Sequence, residues 1–191
     1  MSDPNPVIEA IRSRRSIRKM RLDLSPTREQ VTEIIEAATW APNHHLTEPW
    51  RFIVIAGEER RRLGEALAEA MVLVFPDTPK EKLELERAKP LSAPVILTVV
   101  SAVRVGPKIL EQEELIAAGA ALQNVLLAAQ ALGLSTMVRT GAHSYSERMR
   151  RFLELREDES LVGMVYLGYG SEPQPIGKRT DPQEKTVWRG M

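Results

Sequence analysis

The sequence predicts an α+β domain, a small sheet flanked by helices. Three observations lead there. Two helical patterns precede the first strand candidate. Four short apolar runs, "WRFIVIAG", "APVILTVVSA", "STMVRTGA" and "SLVGMVYLGYG", are then separated by helical stretches. None of these runs feeds a helix through a glycine-rich turn, which argues against a doubly wound nucleotide fold. The 191 residues are 43% apolar, enough for one packed core.

The elements follow in order. Asn5-Pro6 is a cap followed by a first-turn proline, so a helix starts there and ends near Arg14 to Ser16, with Val7, Ile8 and Ile11 on its apolar side. Ser25-Pro26 repeats the start signal, and Val31, Ile34, Ile35 and Ala38 keep helical spacing to about Trp40. "WRFIVIAG", apolar on both faces, reads as a buried strand carrying Trp50 into the core. A helix follows with Leu63, Leu67, Met71 and Val74 on one side, and the charged "TPKEKLELERAK" reads as an exposed helix or mobile segment. "EQEELIAAGAALQNVLLAAQALGL" is a long helix, apolar around most of its circumference and therefore buried on several sides, with Gly133 at its C′ position. "SERMRRFLEL" is a further helix. After Gly170 the pattern stops. Residues 1–170 are read as one domain and 171–191 as an arm whose Ile176, Val187 and Trp188 need a surface to lie on, such as a second subunit.

Composition removes whole classes of chemistry. The chain has no cysteine, so thiol nucleophiles, disulfides and Cys-based metal sites are excluded. Its 26 basic and 26 acidic side chains cancel, which disfavours a general nucleic-acid binder. The N-terminus is acidic and polar rather than a signal peptide, and no run approaches the ~20 apolar residues of a membrane helix, so a soluble cytoplasmic protein is expected. Neighbouring side chains of a regular element diverge, so adjacent His44 and His45 are not expected to chelate one metal, and no metal site is expected.

Two segments carry candidate chemistry. In "SRRSIRKM", an extended stretch after the helix puts Arg14, Ser16 and Arg18 on one side, with Arg15 beside them. Two guanidinium forks and a hydroxyl suit a phosphate monoester. Taken locally, the run reads more readily as a solvated surface, and Arg12 and Lys19 keep that reading. The second segment, "ATWAPNHHLTEPW", is a loop between a helix and a strand that offers amide and imidazole groups.

These segments, together with "GAALQNVLLAAQALGLSTMVRTG" and "VGMVYLGYGSEPQPIGKRT", resemble the nitroreductase family of flavoproteins in order and spacing. The resemblance runs from Val7 to Arg179. It implies a mostly antiparallel central sheet and an intertwined homodimer whose C-terminal arm reaches the partner. It also implies tightly bound FMN at the subunit interface and NAD(P)H as reductant. Carried over residue by residue, it assigns the flavin phosphate and ribityl chain to Arg14, Arg15, Ser16 and Arg18. It assigns the flavin ring to Pro42, Asn43 and His44, and N5 to the backbone at Thr140 and Gly141, with Arg139 beside them. In the arm it gives phosphate contact to Arg179, with Lys178 as the alternate. The cation near N1/O2 is Arg139 or His44, and Arg87 or Lys89 stands in for polar contacts that larger members place before the second strand.

The chain departs from the family pattern at Leu46 and Glu48, where many members carry Asn and Gln, and resembles a short, minimal branch. No side chain is compelled as a catalytic residue, since the flavin carries the chemistry. The implied activity is hydride transfer from NAD(P)H through flavin N5 to a nitroaromatic, quinone or similar small-molecule oxidant, by a ping-pong route. The alternative is a flavin-binding redox-sensing or interaction module without rapid turnover.

Overall fold

A computed structural model describes residues 5–104, 106–174 and 176–191. Its sheet has four antiparallel strands: β1 (Trp50–Ala56), β2 (Val95–Ala102), β3 (Ser135–Arg139) and β4 (Glu159–Gly168), in the order β1-β2-β4-β3. The helices are α1 (Pro6–Ser13), α2 (Arg28–Thr39), α3 (Glu59–Val74), α4 (Lys80–Ala88), α5 (Glu111–Ala131) and α6 (Glu147–Phe152).

Both faces of the sheet are covered, so the two central strands are apolar on both sides. Val95, Leu97 and Val99 of β2 and Val165 and Leu167 of β4 pack under α2 and α5, meeting Ile34, Ala38, Ala121, Val125 and Ala129. Ile96, Met164 and Tyr166 face the other way, toward Leu63, Ala66, Leu67 and Ala70 of α3 and Met149 of α6. Alternate residues of a strand point to opposite faces, so each central strand feeds both cores.

The expected buried first strand is instead a sheet edge. Among the described residues β1 pairs only with β2, and Val54 and Ala56 are exposed; Trp50 packs at the margin of the core as expected. An apolar run on an edge gives the same sequence signature as a buried strand, because only tertiary pairing separates them. The α2 cap also differs from the expected Ser25: Thr27 and Gln30 form a reciprocal capping box. The charged stretch before β2 is helical, as α4. Its approach to α3 depends on Gly64, where a Cβ would lie 2.2 Å from the Arg87 carbonyl oxygen.

α5 has the length and apolarity of a membrane-crossing helix. Here it packs on α2 and the sheet, and Ala117, Ala118 and Ala121 are buried. It ends in a Schellman motif: Gly133 takes φ 73°, and the Leu134 N–H donates to the Ala129 carbonyl at 2.8 Å.

The segment after α1 docks on the sheet. The Ile17 N–H donates to the Thr136 carbonyl at 2.9 Å, Ile17 and Met20 are buried, and the Arg21 N–H reaches the Tyr169 carbonyl at 2.8 Å. Beyond Gly170 the described chain has only a short 3-10 turn, Pro182–Lys185. Ile176, Val187 and Trp188 are exposed on the single subunit.

At the lower end of β1 and β4, the fully buried Glu159 carboxylate accepts from Arg51 Nε and Nη2, each at 2.7 Å, and from the Arg156 N–H at 2.9 Å. Burial pushes its pKa up, but the donated hydrogen bonds outweigh burial and hold it below the usual carboxylate value. A depressed carboxyl pKa contributes stability above the unfolded-state value, which is lost as pH falls through the folded-state value. Glu159→Gln is expected to lower unfolding stability by about 2 kcal/mol at neutral pH and to flatten the acid limb of the stability–pH curve. Urea unfolding across pH checks both.

Candidate functional site

The basic segment begins where α1 stops. Arg14 is the C-terminal cap, outside helical backbone, and the chain then extends. Ile17 faces the core, which turns Ser16 and Arg18 to the solvent side. Arg14 is half-buried. Burial first, then the charges of Arg15 and Arg179, lower its pKa from the ordinary guanidinium value. Arg14, Arg15 and Arg179 therefore lie within electrostatic range of one another, although Arg179 is 165 positions along the chain from Arg14 (179 − 14).

Two features fix this convergence. The Arg15 guanidinium donates to the carbonyls of Arg12 and Arg14, at 2.6 and 2.7 Å. The arm crosses directly over it at Gly177, where a Cβ would fall 2.3 Å from the guanidinium carbon. Further back, Lys19 pairs with Glu172 at 2.5 Å, and the Ser171 N–H donates to the Lys19 carbonyl at 3.1 Å, so the arm's first residues are tied to the same segment. Ile11, Arg12, Arg15, Gly177 and Arg179 line a cavity of about 410 Å³. Arg12, read from sequence as a solvated charge, thus borders the cluster. Neither Arg14 nor Arg179 has a carboxylate partner among the described residues. A half-buried Arg14 with two further guanidinium groups beside it fits an anionic group with several acceptor oxygens. Lys178 is exposed; its carbonyl accepts from Arg179.

The Pro42–Pro49 loop forms a second contact set, at the N-terminus of α5. His45, Leu46 and Glu48 all take left-handed backbone, with φ of 55°, 52° and 47°, an uncommon run for non-glycine residues. Asn43 holds it: its Oδ1 accepts from the Glu48 N–H at 3.0 Å, and its amide donates to the Ala41 carbonyl at 3.3 Å. His44 Nδ1 lies 2.8 Å from Glu113 Oε2, the two imidazoles stack with centroids 3.9 Å apart, and Thr47 donates to the buried Glu114 at 2.7 Å. Pro42 and His44 are exposed, and Leu46 is 84% exposed at the crest. The anchors Thr47, Glu113 and Glu114 were not legible as a set, because nothing in the sequence marks two acids at a helix start as a clamp for a distant loop.

The third set follows β3. Arg139 lies over the Tyr166 ring, 4.9 Å from guanidinium carbon to ring centroid. Thr140 is exposed, and Gly141 opens a 3-10 turn, Ala142–Tyr145. A Cβ on Gly141 would meet the His143 ring at 3.0 Å. Thus Arg139, Thr140 and Gly141 form one patch, Arg14, Arg15 and Arg179 another, and Pro42, Asn43 and His44 a third.

The Nitroreductase family profile matches residues 11–169. The chain belongs to the nitroreductase family. YdjA of Escherichia coli K12, named as an NAD(P)H nitroreductase, is 33% identical over 161 residues, 84% of this chain and 86% of YdjA. A nitroreductase-like protein of Bacillus cereus superposes with a TM-score of 0.84 over 100% of both chains, at 26% identity. A nitroreductase of Desulfovibrio desulfuricans, solved in complex with FMN, gives 0.74 over 98% of both chains, at 28% identity. The nitroreductase fold expected from the sequence is the fold observed.

Asn43→Ala removes both ties across the strained loop. It is expected to leave global unfolding nearly unchanged while speeding amide exchange at Glu48 by about fivefold, the loss of a hydrogen bond near 1 kcal/mol. Hydrogen exchange read residue by residue tests this.

Proposed function

We propose that this nitroreductase-family chain is an FMN-dependent oxidoreductase that takes reducing equivalents from NAD(P)H and passes them to a nitroaromatic, quinone or similar small acceptor. The observation that carries the reading is the convergence of Arg14, Arg15 and Arg179, on the positions where the family's phosphate motif falls. A phosphate monoester brings about two negative charges and three acceptor oxygens. It would offset both the burial and, after it, the repulsion from Arg15 and Arg179 that lower Arg14's pKa. The names of relatives support the cofactor pair: YdjA is named for NAD(P)H, and the Desulfovibrio structure contains FMN.

In this reading Arg14, Ser16, Arg18 and Arg179 hold the phosphate, Arg15 braces the arm above it, and Lys178 stands at its margin. The Thr140–Gly141 backbone orients the edge of the ring that carries N5. Pro42, Asn43 and His44 cover the ring, from the partner subunit of a homodimer with FMN at the interface. FMN, when bound, supplies hydride acceptance and donation. Arg139 supplies positive charge near the ring. His44 is less suited to that task, because its imidazole is committed to Glu113. Nicotinamide and oxidant use the same face in turn, so turnover is ping-pong.

A second copy would cover apolar surface that one subunit leaves open: Trp40, Leu115, Ile116, Ile176 and Trp188. The sheet, helices and N-terminal segment up to residue 170 form the domain, and 171–191 the arm that reaches across. We place the protein in the cytoplasm, as a dimer independent of membrane and nucleic acid.

The purified protein is expected to be yellow, and NADH or NADPH is expected to bleach it anaerobically within the time of a turnover assay. Adding a nitroaromatic or quinone should restore the colour. A protein that stays colourless with excess FMN contradicts the proposal. A yellow protein that neither nucleotide bleaches points to the redox-sensing alternative.

A further inference from the structure

Beside the Thr140–Gly141 turn lies a cavity of about 220 Å³ whose polar lining is Glu86, Lys89, Arg139, His143, Ser144 and Tyr166. Its one carboxylate is engaged: Glu86 Oε1 lies 3.2 Å from His143 Nε2, and Oε2 takes the Lys89 ammonium. Its donors are not. Tyr166 is 1% exposed, yet its hydroxyl has no hydrogen-bond partner among the described residues, and Arg139 Nε is likewise buried without one. Buried polar groups are almost always paired, so each of these calls for an explanation. Burial raises the Tyr166 pKa, which keeps the phenol protonated and able to donate. The cation–π contact holds Arg139 over the same ring. With Lys89 already paired to Glu86, the two orphaned donors leave the cavity short of acceptors and open to one supplied by a ligand.

We propose that this cavity binds a planar group that presents acceptor oxygens, received by Tyr166 Oη–H and Arg139 Nε–H, with the Lys89–Glu86 pair at its mouth. Two sources share this chemistry. One is the carboxylate of a small free ligand. The other is the conjugated carbonyl edge of a bound flavin, and that source alone rests on the cofactor reading above.

Benzoate, a planar monocarboxylate, is the probe, titrated at fixed ionic strength into flavin-free and FMN-loaded protein by calorimetry and thermal shift. The flavin-free protein is expected to bind benzoate with a saturable rise in Tm. Tyr166→Phe should weaken that binding about tenfold without lowering the Tm of the unliganded protein, because it deletes an unpaired hydroxyl. Arg139→Met should abolish it. Arg14→Ala should bind benzoate as the wild type does, which separates this cavity from the arginine cluster. Equal binding by the loaded protein supports a free carboxylate ligand; displacement of benzoate by FMN supports the cofactor's carbonyl edge. Absence of binding in both forms, or wild-type affinity in Tyr166→Phe, overturns the proposal. If the protein takes up no FMN, the cofactor reading falls and the flavin-free titration still tests the cavity.

Discussion

One docking contact organises the candidate site. The Ile17 N–H reaches the Thr136 carbonyl while the Ile17 side chain enters the core. That pairing fixes which way the next residues face. With Ile17 inward, Ser16 and Arg18 must face out, and Arg14 is left half-buried where α1 ends. The same strand, β3, runs on into Arg139, Thr140 and Gly141. A single short ladder therefore orients both the phosphate candidates and the ring-edge candidates. The arm joins at its other end, through Met20 and Gly170, which pair as neighbours.

Charge then acts on what the ladder has arranged. In an exposed run, arginines separate and solvate, and their electrostatic cost is small. Here Arg14 loses part of its solvent, and Arg179 is brought in from the arm. The cost of that crowding is borne by the folded protein whenever no anion is present. An anion bound there would offset it, which is how a binding site would differ from a surface patch. Gly177 is the geometric condition, since the arm can pass over Arg15 only where no side chain intervenes.

Much of this was legible in the sequence, for identifiable reasons. The long apolar helix, the Asn5-Pro6 start and the Gly133 stop rest on local chemistry and are found where expected. The edge position of β1 was not legible, because strand pairing is a tertiary fact. The cap at Thr27 lay two residues past the expected Ser25, because proline and threonine both signal a helix start. At the site, motif order singled out the arginines, the loop and the turn as candidates. It could not reveal that Asn43 and His44 spend their hydrogen bonds on Glu48, Ala41 and Glu113, nor that Arg139 turns toward a buried tyrosine. The His44–Glu113 and Arg139–Tyr166 contacts join residues tens of positions apart, and the Asn43 contacts depend on the loop's own fold, so no spacing rule gives them.

Riboflavin, which is FMN without its phosphate, isolates what the proposed phosphate site at the arginine cluster contributes. Affinities for both should be measured by fluorescence quenching in the wild type and in Arg14→Ala/Arg179→Ala. At about 1.5–3 kcal/mol per charge-assisted contact, the wild type should prefer FMN over riboflavin by at least about a hundredfold. The double variant should lose most of that preference while its riboflavin affinity holds. Equal affinity for the two flavins in the wild type, or an undiminished preference in the variant, would contradict the account.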